Sequence, residues 1–344
     1  MKAFGRFLAG CIASWVVATS AYAAPYSQFV VFGDSLSDAG NASFITSNLF
    51  PPSPPYAGTF SNGPTAAQYL ANLLGVSVGF GWSGLSGAAN NYAVGGGLNG
   101  TGNYNVQIGN PPGLGVAFPT MAVTGIRQQI ERYALVNPVV PNAASTLFMV
   151  WGGPNNIFLG AETGGDPTVY VPAALIDLRD DLVMLAAMGA QHLFVPSMPD
   201  LGLTPEARGK GPAAMAALSA LSAAYNGGLA QVLAGLDTAF DPLGIDLYSF
   251  DTAAFFADVT ANPAMYGFTN VTDSCLYSAA ACSTYLYFDN VHPTTLGHDL
   301  LALQFASALG IVPEPAMTGL VLVAVVGLLG FLRRPPRSVA RAAN

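Results

Sequence analysis

The sequence predicts an α/β protein built on a central, mostly parallel sheet with helices on both faces. Short apolar, often β-branched runs recur at Phe29 to Phe32, Leu147 to Trp151, His192 to Val195 and Ile245 to Phe250. The stretches between them carry apolar residues at helical spacing. The runs are continuous rather than alternating, as expected of strands buried on both faces.

In chain order, Phe29 to Phe32 is a buried strand that ends at Gly33. Phe50 to Pro55 is proline-rich and must be loop. Thr65 to Leu74 reads as helix. Residues 79 to 115, rich in Gly, Asn and Ser, read as loop around a short strand at Asn90 to Val94. Met121 to Leu135 has helical character, and the strand Leu147 to Trp151 follows Thr146. Leu175, Leu178, Leu182 and Leu185 recur at helical spacing, with Asp177, Asp180 and Asp181 assigned to other faces. His192 to Val195 is a strand, Ala213 to Leu236 an Ala/Leu-rich helix, Ile245 to Phe250 the last strand and Thr295 to Leu309 a closing helix. No internal repeat is evident.

Both ends read as targeting segments. Lys2 and Arg6, the apolar run Phe7 to Val17 and Ala21-Tyr22-Ala23 form a secretory signal peptide over 1–23, the alternative being an uncleaved anchor. At the other end, Pro313-Glu314-Pro315 precedes an apolar run from Ala316 to Leu332 and then Arg333, Arg334 and Arg337. That run is at the short end of what spans a bilayer, and the arginines after it would remain cytoplasmic. One domain, 25–312, is left between them. It holds 18 of the 19 acidic residues and only Arg127, Arg132, Arg179, Arg208 and Lys210 as bases, a net charge of −13. Such a surface opposes nucleic-acid binding and docking on anionic lipid.

Of the three cysteines, Cys11 leaves with the leader. Cys275 and Cys282 remain, and in an exported protein they are expected to pair, the alternative being two free buried thiols. Cys282 lies seven residues before Asp289, so a bridge would stiffen the approach to that segment.

Histidine is scarce: only His192, His292 and His298 can serve as a neutral-pH base. His192 falls in a strand pattern and His298 on the closing helix, both read as packing residues. His292 has Asp289 three residues before it and Pro293 after it, which restricts the backbone. A carboxylate there can hold the imidazole tautomer that faces a serine. Gly33-Asp34-Ser35 supplies that serine at a strand's carboxyl end, where open α/β sheets place their sites. Asp34 and Asp200 read as turn or loop carboxylates. No His/Cys/acid cluster has metal-ligand spacing, so neither a catalytic metal nor a cofactor is expected. Gly79 to Gly84 matches a dinucleotide fingerprint as a string, without the helix and acidic residue that it requires.

Five ordered segments carry a resemblance. Gly33-Asp34-Ser35-Leu36 continues as Ser37-Asp38-Ala39-Gly40-Asn41. It is followed by Phe60-Ser61-Asn62-Gly63-Pro64, Asn90-Asn91-Tyr92-Ala93-Val94-Gly95-Gly96, Trp151-Gly152-Gly153-Pro154-Asn155-Asn156 and Asp289-Asn290-Val291-His292-Pro293. The chain resembles the GDSL-type lipases and esterases of the SGNH hydrolase superfamily over nearly all of 25–312. The resemblance implies a three-layer α/β/α, flavodoxin-like fold. It implies Ser35 as nucleophile, His292 as base and then acid, and Asp289 as its orienter. It also implies an oxyanion hole made of the Ser35 and Gly96 backbone N–H groups and the Asn155 amide, with Gly95 as the alternative to Gly96. Asn156 departs from the family, which usually has Asp there.

The last 32 residues, 313–344, resemble the PEP-CTERM sorting signal of Gram-negative bacteria. This implies an exosortase-type partner, transient inner-membrane anchoring, and a destination at the cell surface or in the extracellular matrix. A plain membrane anchor is the alternative. The function expected is hydrolysis of carboxylic esters, lipid or small-molecule, through an acyl-enzyme. Removal of O-acetyl groups from matrix polysaccharide is the runner-up. A non-catalytic surface module keeping the fold is the reading from a different class.

Overall fold

The computed structural model describes residues 26–83, 90–276 and 282–311. The predicted leader with Cys11 and the predicted sorting segment at 313–344 lie outside the described residues. Among the described residues, no helix is long and apolar enough to cross a membrane.

The four predicted strands form one parallel sheet in the order β1 (Gln28–Gly33), β2 (Thr146–Trp151), β3 (His192–Pro196) and β4 (Asp246–Phe250). Alternate side chains leave opposite faces, as strand geometry demands. Val30, Phe32, Phe148, Val150, Leu193 and Val195 enter a core with the inner faces of three helices. Phe29, Val31, Leu147, Met149, Trp151 and Phe194 enter a second core on the other face.

Among the described residues, seven helices lie ahead of β3: α1 (Asn41–Ile45), α2 (Ala66–Leu73), α3 (Tyr104–Gln107), α4 (Leu114–Ala117), α5 (Ile126–Ala134), α6 (Pro154–Glu162) and α7 (Pro167–Ala187). After it come α8 (Pro205–Lys210), α9 (Pro212–Phe240), α10 (Thr252–Ala261) and α11 (Thr295–Ala308). A small two-stranded sheet, β5 (Asn270–Ser274) with β6 (Tyr285–Tyr287), precedes α11. The first core is closed by α5, α7 and α9, the second by α2, α10 and α11. The result is three layers, α/β/α.

Four sequence expectations need correction. Ile245 to Phe250 ends the main sheet but is not the last strand, because β5 and β6 follow it. Asn90 to Val94 is not a regular strand. It runs beside β1 through three backbone bonds, Val31 N–H to Asn90 O at 2.8 Å, Tyr92 N–H to Val31 O at 2.8 Å and Val94 N–H to Gly33 O at 3.2 Å. Met121 to Leu135 is split, because Gly125 interrupts it between a 3₁₀ turn and α5. Asp181 faces inward: it is fully buried, paired with Arg127, and accepts the Gly100 N–H at 3.2 Å. The arginine satisfies a charge that the apolar periodicity alone would have sent to solvent.

The 90–94 segment has a consequence for the site. It flanks β1 on one edge and β2 flanks it on the other, so the chain leaves β1, crosses to one side, and then crosses back. That is a topological switch point, where parallel sheets open a crevice beyond their carboxyl ends. Ser35 stands two residues past the end of β1.

Candidate active site

The turn that carries Ser35 is tight for a packing reason. A Cβ at Gly33 would lie 2.5 Å from the Trp151 carbonyl oxygen, so only glycine fits against β2. Past it, Asp34 Oδ1 accepts the Leu36 N–H at 3.0 Å, and the Asp34 carbonyl accepts the Ser37 and Asp38 N–H groups at 3.1 and 3.0 Å. Asp38 then collects four backbone donors. Its oxygens accept from Gly40 (2.7 Å), Asn41 (2.6 Å), Ala42 (3.1 Å) and Gly95 (2.9 Å). One carboxylate thus caps α1 and fastens the Ser35 turn to the Gly95–Gly96 segment.

The histidine arrives from the other end of the chain. Asp289 Oδ1 accepts the Val291 and His292 N–H groups at 2.9 and 2.7 Å, which curls 289–292 into a compact turn. Asp289 Oδ2 accepts from His292 Nδ1 at 2.7 Å, and His292 Nε2 lies 2.7 Å from Ser35 Oγ. The segment Phe60 to Pro64 clamps this turn from outside. Ser61 Oγ donates to the Pro293 carbonyl at 2.9 Å, Asn62 Oδ1 accepts the Thr295 N–H at 2.8 Å, and the Phe60 ring lies 5.4 Å from the imidazole. Cys275 and Cys282 are disulfide-bonded. Beside that bridge, the Cys275 and Leu276 N–H groups bond the Tyr287 and Phe288 carbonyls just before Asp289.

The electrostatics follow from burial and pairing. Burial pushes the Asp289 carboxyl up, but the His292 charge and three hydrogen bonds outweigh it and hold it below the ordinary carboxylate value. Burial pulls His292 down, but Asp289 outweighs it, and the imidazole sits above its ordinary 6.5. Burial raises Asp34 to about 6, with the Leu36 N–H opposing. His298 is buried without a charge partner and falls to about 3, so it is a neutral packing residue, as the sequence suggests. His192 is far from this centre: its Nδ1 lies 2.9 Å from Asp246 at the opposite end of the sheet.

Ser35, Gly96 and Asn155, the residues expected to supply an oxyanion's donors, line one cavity with His292. Among the described residues, neither the Ser35 nor the Gly96 N–H makes a hydrogen bond, whereas the Gly95 N–H is taken by Asp38. Gly96 has φ +84°, a conformation natural to glycine. The Asn155 amide nitrogen donates to the Gly97 carbonyl at 3.1 Å and to Asp34 Oδ2 at 3.3 Å. Pro154 is the first residue of α6, where its missing N–H costs nothing, and this helix start lines the same cavity as Ser35. Asn156 accepts the Asn99 N–H through Oδ1 at 2.9 Å, the service a carboxylate would also perform.

These groups open into a cavity of about 360 Å³. Phe50, Pro51, Pro52, Phe60 and Phe158 give it apolar walls, while Tyr104, Asn105, Asn110 and Glu206 make one polar side. Sequence reading missed Asp38 as a fastener and Tyr56, whose hydroxyl donates to Asp289 Oδ2 at 2.7 Å. Asp38 lies just past Gly33-Asp34-Ser35-Leu36, where an Asx-type carboxylate is legible. Tyr56 carries no periodic or spacing signal. Among the described residues, no group of His, Cys, Asp and Glu is arranged to hold a metal ion.

A serine, a histidine and an aspartate hydrogen-bonded in series beyond the carboxyl end of a parallel strand form the arrangement that nucleophilic-serine hydrolases use. The family model for GDSL-like lipase/acylhydrolases matches residues 29–305, and the chain belongs to that family of ester-bond hydrolases. It is 25% identical to the thermolabile hemolysin of Vibrio parahaemolyticus over 80% of this chain and 62% of that protein. It is 28% identical to the phosphatidylcholine-sterol acyltransferase of Aeromonas hydrophila, over 80% of this chain and 72% of that one. It is 32% identical to the esterase EstA of Pseudomonas aeruginosa over 86% of this chain, spanning 49% of that relative's length. Among solved structures, a GDSL-like lipase from Parabacteroides merdae aligns over 83% of this chain and 97% of its own, with 16% identity and a TM-score of 0.42.

Proposed function

We propose that the chain is an exported serine esterase that cleaves carboxylic esters through an acyl-enzyme, with acyl lipids or acyl esters as substrates. The observation that carries this reading is the unbroken series Ser35 Oγ, His292 Nε2, His292 Nδ1, Asp289 Oδ2, with 2.7 Å at each hydrogen bond, opening into an apolar-walled cavity. Ser35 Oγ attacks the ester carbonyl carbon while its proton passes to His292 Nε2. Asp289 holds the Nδ1–H and stabilises the imidazolium. The carbonyl oxygen becomes an oxyanion that accepts from the Ser35 and Gly96 N–H groups and from Asn155, one such donor contributing on the order of 10²–10³ in rate. Collapse breaks the bond to the alkoxide, which takes the His292 proton and leaves as the alcohol. Water, deprotonated by His292, then releases the acid and restores Ser35.

The acyl-lipid preference is supported by the apolar walls and by two relatives whose names refer to hemolysis and to phosphatidylcholine. A second reading, removal of O-acetyl groups from polysaccharide, is favoured by the polar side made of Tyr104, Asn105, Asn110 and Glu206. We further propose one catalytic domain over 25–312, a cleaved leader over 1–23 and a PEP-CTERM segment over 313–344. The protein would then cross the inner membrane of a Gram-negative bacterium, anchor transiently, and be passed by exosortase-type machinery to the surface or matrix. The Cys275–Cys282 bond suits an oxidising compartment.

The test is an activity panel of acyl esters of graded length beside acetylated sugars, with serine-directed phosphonate labelling. Turnover with a Ser35 adduct, lost in Ser35→Ala and His292→Ala, is expected. Near-normal rates in either variant, or a folded protein without an adduct, would overturn the reading.

A further inference from the structure

Asp289 receives four hydrogen bonds, which fill its acceptor capacity. Three come from its own turn: the Val291 N–H, the His292 N–H and His292 Nδ1. The fourth comes from Tyr56, whose hydroxyl donates at 2.7 Å to Oδ2, the same oxygen that holds the imidazole. The Tyr56 ring is fixed edge-on against Phe288, with centroids 5.3 Å apart and an interplanar angle of 89°, and lies 6.2 Å from Phe60. Phe60 in turn packs on His292. Tyr56 also closes the proline-rich stretch whose Phe50, Pro51 and Pro52 wall the cavity.

We propose that Tyr56 is a positioning residue for the Asp289–His292 pair, and that through it the proline-rich cavity wall is coupled to the orientation and proton affinity of the base. The inference rests on the serine-esterase reading above. A carboxylate held only by its own turn keeps a soft rotation about its side-chain bonds. A donor from a separate loop fixes the plane of the carboxylate and therefore the direction of the His292 Nδ1–H bond. The same donor draws charge from Oδ2, so the imidazolium beside it is less strongly stabilised than by a carboxylate without that bond. An acyl group seated against Phe50 and the prolines presses on the loop that supplies this donor.

The sign of the test follows. Tyr56→Phe keeps the ring packing and removes only the hydroxyl. Oδ2 then loses its outside donor, its charge acts more fully on His292, and the base protonates at higher pH. With p-nitrophenyl butyrate and the full-length protein, kcat is expected to fall about tenfold with KM within about twofold. The acid limb of kcat/KM should move upward by several tenths of a pH unit. Tyr56→Leu, which also removes the ring, should add a rise in KM. If Tyr56 only walls the cavity, Tyr56→Phe keeps kcat within twofold and the acid limb stays in place, and the proposal is overturned. Should that variant not fold, 3-fluorotyrosine placed at position 56 alone offers a more acidic, stronger donor and must move the acid limb downward; an unmoved limb overturns the proposal equally. Ser35→Ala in the same assay separates the two claims. Residual turnover there defeats the esterase reading, whereas its loss together with an indifferent Tyr56→Phe defeats only this one.

Discussion

Adding one methyl group at Gly96 tests the oxyanion hole at its least forgiving point. The backbone there has φ +84°, which costs an L-residue about 1–2 kcal/mol. The added Cβ would also meet the Asn105 amide and lie 2.5 Å from Asn103 Oδ1. Asn103 cannot yield cheaply. It is fully buried, its Oδ1 caps α3 by accepting the Asn105 N–H at 3.0 Å, and its Nδ2 donates to the Gly95 carbonyl at 2.8 Å and to Thr124 at 2.9 Å. Displacing one of those bonds costs about 1 kcal/mol more, so Gly96→Ala should lose roughly 2–3 kcal/mol of stability. The backbone must shift instead, and the shift carries the Gly96 N–H away from Ser35. Loss of one such donor lowers kcat by about 10²–10³ while KM changes little. The assay is p-nitrophenyl ester kinetics with thermal melting on the same preparation, to establish that the variant is folded. A folded variant whose kcat stays within about threefold of wild type would refute the assignment of Gly96.

The remaining predictions concern protons and braces. Because His292 must be neutral to accept the Ser35 proton and its pKa lies above 6.5, kcat/KM should reach half its plateau above pH 6.5 and fall about tenfold per unit below that; a midpoint under 6.5 in a pH–rate profile contradicts it. Reducing Cys275–Cys282, a bridge seven residues apart in sequence, should remove about 2.5 kcal/mol and lower Tm by roughly 5 °C, read by calorimetry with and without reductant; identical melting curves would make the bridge incidental. Asn156→Asp should keep activity within about threefold, since the Asn99 N–H keeps its acceptor. Asn156→Ala strands that donor and should cost about 1–3 kcal/mol in denaturant unfolding; equal behaviour of the two variants would contradict this.

The parts that the sequence makes legible are those where one physical requirement acts alone. A strand buried on both faces must be apolar throughout, so Val30–Val31 and Met149–Val150 read without ambiguity. Asp289 and His292 are adjacent enough that one turn joins them, and the rarity of histidine leaves no rival. Elements that depend on distant partners are hidden. Asn90 to Val94 bonds β1 on one side but meets only Gly79 and Gly81 on the other, and its regularity ends where Gly95 turns to Asp38. Asp181 looks like a solvent residue until Arg127, far off in sequence, covers it. β5 was not anticipated because Asn270 to Ser274 is short and polar, and its pairing is made by Tyr285 to Tyr287. Tyr56 belongs to the same class. Its loop is evident from the prolines, but its partner lies 233 positions away. The departure at Asn156 needed the structure too, since only Asn99 shows that an amide oxygen serves there as well as a carboxylate.

The bond between His292 and Ser35 spans 257 positions, nearly the full length of the domain. In the proposed mechanism, it makes the active site a readout of completeness. A growing chain displays its nucleophile almost at once, yet the hydroxyl stays an ordinary alcohol until the segment after β6 has been made and seated under Ser61 and Asn62. A product that stops before Asp289 carries no base, however well its sheet is formed. The ester cleavage proposed for this site is therefore deferred to the final step of folding, by topology.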